Sequence, residues 1–163
     1  MARALADEAP ATDRLDLARG MVAAIVESYW TALHKRYSES WPLPGPFGTR
    51  LRPLLGQPAV SLAIEMGRAA AKLEPILASY LIGVTYTAMI PDRMRSQLGV
   101  YYTPPALTSR LLELATIAGV DWSRCTVLDP SCGGGAFLAP VALRVVRQHQ
   151  GYSASQLLRE VAT

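Results

Sequence analysis

The residues best suited to chemistry in this 163-residue chain form the stretch Asp129-Pro130-Ser131-Cys132-Gly133-Gly134-Gly135. It follows Thr126-Val127-Leu128, which reads as a short strand, and it leads into an apolar helix that begins near Phe137. Glycines at a strand-to-helix turn let the backbone approach a ligand closely and aim free N–H groups at it. Two common nucleotide loops are excluded. The third glycine of a dinucleotide fingerprint would fall at Leu138, and no Gly-Lys-Ser/Thr follows to make a phosphate-cradling loop. Taken alone, a glycine triplet reads equally well as a flexible turn.

A second segment shifts that balance. Gly99-Val100-Tyr101-Tyr102-Thr103-Pro104-Pro105 lies upstream of a helix that leads into the strand and glycine loop, and the loop continues as Ala136-Phe137-Leu138. In order and separation the two segments resemble the amino-group DNA methyltransferases, in particular the N6-adenine enzymes of restriction-modification and related phage-defence systems. In that family a Tyr-Thr-Pro segment precedes a helix, and a strand follows that ends in Asp-Pro-x-x-Gly-Ser/x-Gly-x-Phe-Leu. The resemblance covers about Ala78 to Gln150. It implies that Tyr102 and Thr103 line the methionine end of S-adenosylmethionine and that Asp129 holds its ammonium group. Ser131, Cys132 and Gly133 would pass under the cofactor, Gly135 would let the next helix start close by, and Phe137 would pack the loop. A zwitterion needs a carboxylate for its ammonium group and backbone N–H groups for its own carboxylate, and a helix N-terminus supplies the latter. Gly134 departs from the pattern, standing where the family often has serine or another small residue.

Two further parts of such an enzyme are missing from the sequence. Methyl transfer to adenine needs an Asn/Asp-Pro-Pro-aromatic motif, which grips the exocyclic amine while its ring stacks on a flipped base. Thr103-Pro104-Pro105-Ala106 has neither the acid or amide nor the aromatic residue, and it precedes the glycine loop. The acidic residue that binds ribose hydroxyls, expected about twenty residues after the loop, is also missing. Glu160 lies near that distance but in a helical context. Catalytic residues are therefore assigned to no position.

The elements around these segments are mostly helical. Asp13 can cap a first helix, with Leu15, Ala18, Val22, Ile25, Tyr29 and Leu33 on one face until about Ser38. Three prolines and two glycines from Trp41 to Gly48 force an irregular connection. Helices are expected from Pro58 to Lys72 and from Pro75 to Ile90, the latter uncharged and read as buried. Pro91 to Gln97 forms a short helical turn that Gly99 ends, and Pro105 to Ala118 forms a helix that Gly119 closes. The helix after the glycine loop runs to Gln150, with Pro140 tolerated in its first turn and Val141, Val145 and Val146 on the side that would face a sheet. Ser153 or Ser155 can cap a last stretch through Val161.

With the resemblance, the expected fold is mainly α. A helical N-terminal region, residues 1–95, is followed at 96–163 by the first strand-loop-helix of a Rossmann-like α/β methyltransferase domain, truncated there. The chain is then the N-terminal part of a DNA methyltransferase that acts on adenine N6 and is inactive by itself. Its expected partners are DNA in the full-length enzyme and a complementing methyltransferase chain or specificity subunit. The alternative is a non-catalytic helical module that binds a partner chain, or a subunit of a split restriction-modification or defence system.

Composition sets outer limits. Half of the residues are hydrophobic and 18% are charged, so the chain can build a core and is no disordered tail. Lys and Arg exceed Asp and Glu by 16 to 13, and the excess is one residue in each of the stretches to Leu55, to Val100 and beyond. No segment is a basic stripe, so charge along the sequence makes no case for nucleic acid. Cys125 and Cys132 have neither CxxC spacing nor a nearby histidine, so no metal site and no disulfide is expected. Met1 to Gly20 lacks the apolar core of a signal peptide, and the expected location is the cytoplasm, with no membrane span.

Overall fold

The computed structural model describes residues 13–37, 55–149 and 151. Six helices account for the regular structure of these residues: α1 (Arg14–Tyr37), α2 (Gln57–Ala70), α3 (Pro75–Met89), α4 (Asp92–Leu98), α5 (Pro105–Ile117) and α6 (Leu138–Gln148). Prolines stand in the first turns of α2, α3 and α5, where a missing N–H costs nothing. Gly99 closes α4 in the left-handed region, at φ 63°. The chain divides into two compact units, the first ending at Tyr102 and the second starting at Thr103.

In the first unit α1 packs on α2 and α3. The contact surface of α2 is made of small residues at three- and four-residue steps: Ala59, Ala63, Gly67 and Ala70 are all buried. Small side chains bring the helix backbones together. A Cβ placed on Gly67 would lie 2.5 Å from the Ile25 carbonyl oxygen and 2.7 Å from the Tyr29 nitrogen. Ser28 Oγ donates across the same contact to the Ile64 carbonyl, at 2.9 Å. The core of the unit therefore contains Ala18, Met21, Ala24 and Ile25 of α1, together with Leu55, Met89 and Ile90.

Two sequence expectations are corrected here. On α1, Val22, Tyr29 and Leu33 are only half-buried, while Met21 and Ala24 are buried in their place. The helix turns toward α2 the face on which a close approach is sterically possible. On α3, Ala78, Gly83, Thr87 and Met89 are buried, but Leu77, Leu81 and Val84 are exposed. The sequence reads this helix as buried, and only part of it is: Met89 belongs to the core and Ile82 and Tyr86 pack against it.

Gly67 offers a direct check of the close contact. In an open helix, glycine to alanine gains about 1 kcal/mol in helix propensity. Here the new methyl would meet backbone, which yields only if the helices separate, and overpacking costs roughly 1 to 3 kcal/mol or more. Gly67→Ala is expected to be destabilising by about 2 kcal/mol, lowering the midpoint of thermal unfolding by on the order of 10 °C. A raised midpoint would show that α1 and α2 are not in backbone contact.

In the second unit α5 and α6 pack around Trp122. Leu112, Trp122 and Val141 are buried, with Ala115, Val120, Cys125 and Val145 packed against them. The indole Nε1–H donates to Thr116 Oγ1 at 2.8 Å, and that hydroxyl donates to the Leu112 carbonyl at 2.9 Å. The Arg144 guanidinium lies over the indole, 5.7 Å from the ring centroid. Val141 and Val145, expected to face a sheet, thus meet Leu112 and Trp122 instead. Thr126-Val127-Leu128 has no strand pairing, and no strand occurs among the described residues. Leu128 is 85% exposed. The expected helix from Ser153 to Val161 and the turn from Trp41 to Gly48 lie outside the described residues.

Candidate functional site

The glycine loop is held by short-range hydrogen bonds among its own residues. Asp129 Oδ1 accepts the Ser131 N–H at 3.0 Å, turning the chain back as it leaves the extended segment. Gly135 N–H donates to the Cys132 carbonyl at 2.7 Å, and the Gly135 carbonyl accepts the Ala139 N–H at 3.0 Å, which starts α6. Gly133 and Gly135 have φ of 50° and 76°. A Cβ is strained in that region, so both positions require glycine. Gly134 has no such φ.

Ser131, Cys132 and Gly133 are exposed, while Asp129 and Gly135 are half-buried. No side chain caps α6 at Phe137, and its third residue is Pro140, which is buried and has no N–H to satisfy. Beside the extended segment lies a cavity of about 480 Å³. Leu112, Trp122, Phe137 and Val141 line it, as do Asp129 and Pro130. Volume and apolar lining lie within the range of small-molecule sites.

Thr103 belongs to the same unit as the loop and is half-buried just ahead of Pro104, the residue that precedes α5. Tyr102 belongs to the first unit. Its ring lies against α3 where Gly83 leaves room: a Cβ on Gly83 would be 2.2 Å from the ring. Burial pushes the Tyr102 phenol above its ordinary value, and Tyr86 adds to the shift. Five of the seven residues assigned to the cofactor therefore share one loop: Asp129, Ser131, Cys132, Gly133 and Gly135. Thr103 shares their unit, and Tyr102 packs on a helix of the other.

Gly83 was not singled out from the sequence. A glycine inside an uncharged helix, where it costs about 1 kcal/mol relative to alanine, was the available signal. Among the described residues no group of three or more His, Cys, Asp or Glu side chains could hold a metal ion. Nor is any helix among them long and apolar enough to cross a membrane. No protein-family model matches the chain, and no curated protein or solved structure matches it either.

Proposed function

We infer that the chain carries the S-adenosylmethionine-binding entry of an amino-group DNA methyltransferase. The observation that carries this reading is the glycine loop itself: a carboxylate, two positions that require glycine, and an uncapped helix start follow one another within Asp129 to Leu138. Asp129 meets the cofactor's ammonium group. The backbone between Ser131 and Gly135 passes under its methionine end, and Thr103, of the same unit, closes that end. In this reading Thr126-Val127-Leu128 is the first strand of a Rossmann-like sheet, and its open edges receive strands that carry the Asn/Asp-Pro-Pro-aromatic motif and the ribose-binding acid. The methyl acceptor is the adenine N6 amine of DNA, in the cytoplasm.

A second reading has its own support. Leu107, Leu111, Leu114 and Ile117 recur at three- and four-residue steps along α5, and all are exposed. A non-catalytic module that docks a partner chain would present such a stripe.

Cofactor binding separates the two. Only part of a cofactor pocket is present in the described residues, so affinity is expected to be weak, in the millimolar range, where each binding contact is worth little against about 4 kcal/mol in total. Titrating the chain with S-adenosylmethionine while following amide chemical shifts should move Thr103 and Asp129 to Gly135 first. Asp129→Ala should abolish those shifts. Undisturbed amides from Asp129 to Gly135 at saturating cofactor, or unchanged shifts in Asp129→Ala, would overturn the methyltransferase reading and favour the docking module.

A further inference from the structure

We propose that the cleft between the C-terminal ends of α1 and α2 docks the phosphodiester backbone of duplex DNA. The cleft, of about 570 Å³, is lined by Lys35 and Arg36 from α1, by Arg68 from α2 and by Lys72 just after it. Among the described residues its single carboxylate is Glu27. The described lining thus carries four cations against one carboxylate. The sequence has 14 arginines but only two lysines, and both lysines are here.

Offsetting the helix dipoles explains only part of this cluster. Arg36 does so, donating to the Ala71 carbonyl at 3.3 Å. Lys35, Arg68 and Lys72 are exposed and take part in none of the ion pairs among the described residues, which are Arg19 with Asp16, Arg95 with Asp92 and Arg110 with Glu113. The hydroxyls lining the cleft are already committed: Ser28 donates to the Ile64 carbonyl, and Thr31 donates to the Glu27 carbonyl at 2.8 Å. Such a site has charge to offer and few oriented donors. That combination suits phosphate contacts, which hold a duplex without reading its sequence, better than a small ligand that needs its head group oriented. The choice of DNA as the polyanion rests on the methyltransferase reading above.

The lysine count makes the test selective. The full chain is acetylated with an amine-specific reagent at low salt, with and without a mixed-sequence duplex and with no S-adenosylmethionine, and then read by mass spectrometry. Lys35 and Lys72 should both be protected by the duplex while the N-terminal amine is not, and high salt should remove the protection. Substituting Lys35→Gln, Arg68→Gln and Lys72→Gln together should weaken duplex binding at least about tenfold and lower the log–log salt slope by about 2 to 3. Lys35→Arg with Lys72→Arg should bind like the parent. Unprotected lysines, an unchanged slope in the folded triple variant, or equal protection by inorganic phosphate or by anionic lipid vesicles without duplex would overturn the proposal. Because cofactor is left out, the outcome is independent of the titration at the Asp129 loop. Duplex binding without cofactor binding would leave the cleft standing and remove the enzyme reading, and the converse result would do the opposite.

Discussion

Mixed with labelled S-adenosylmethionine and an adenine-rich duplex, the 163-residue chain is expected to transfer no label above a protein-free control. Methyl transfer requires the adenine amine held in line with the sulfonium methyl. The proximity and orientation obtained in that way can amount to about 7 to 11 kcal/mol of the barrier. In the proposed methyltransferase reading the groups that hold the amine belong to the Asn/Asp-Pro-Pro-aromatic motif, and no such motif occurs in the sequence. A loss of at least about 10⁵ in rate follows from those magnitudes, which puts transfer below detection. Transfer above the control that disappears in Asp129→Ala would show that the chain assembles a catalytic site by other means. Cofactor binding without transfer is the expected pairing.

Trp122→Ala is expected to cost about 3 to 5 kcal/mol and to unfold the second unit while leaving the first intact. The indole is the largest side chain of a three-residue buried core, so little else can fill the cavity. Its removal also leaves the Thr116 hydroxyl without the indole donor and Arg144 without the ring beneath it. Hydrogen exchange gives the readout. Amides from Pro105 to Gln148 should lose protection in the variant, and those of α1 and α2 should keep it, because no member of the first unit's core comes from this region. In the unsubstituted chain, α1 to α3 should exchange slowest and Thr126-Val127-Leu128 should exchange fast, since their N–H groups have no ladder partner. Trp122→Phe keeps most of the buried area and loses the hydrogen bond, for a cost of about 1 kcal/mol. An unchanged melting profile in Trp122→Ala would show that the second unit does not depend on this core.

Local structure was legible in the residues. Pro58, Pro75 and Pro105 mark helix starts, Gly99 and Gly119 mark ends in the left-handed region, and the observed helices begin and end within one or two residues of those signals. The same holds for the glycine loop, where a carboxylate and closely spaced glycines specify a turn on their own. Such features depend on the φ each residue allows and on hydrogen bonds between near neighbours. Which face a helix buries was not legible in the same way. The 3.6-residue repeat of α1 and α3 places apolar groups on more than one side, and the choice fell to the side where a partner backbone could come close. Gly67 and Gly83 made that approach possible, for α1 and for Tyr102.

Charge shows the difference most clearly. Along the sequence the cations are spread with a one-residue excess in every stretch, and no stripe appears. In the folded first unit the ends of α1 and α2 bring Lys35, Arg36, Arg68 and Lys72 into one cleft, with a single carboxylate among its described lining residues. The sequence by itself determined the helices, their ends and the geometry of the loop, because each of these is settled within a few residues. Only the tertiary structure decided which surfaces are covered and where charge accumulates, because both depend on which distant residues the packing of α1 on α2 makes neighbours.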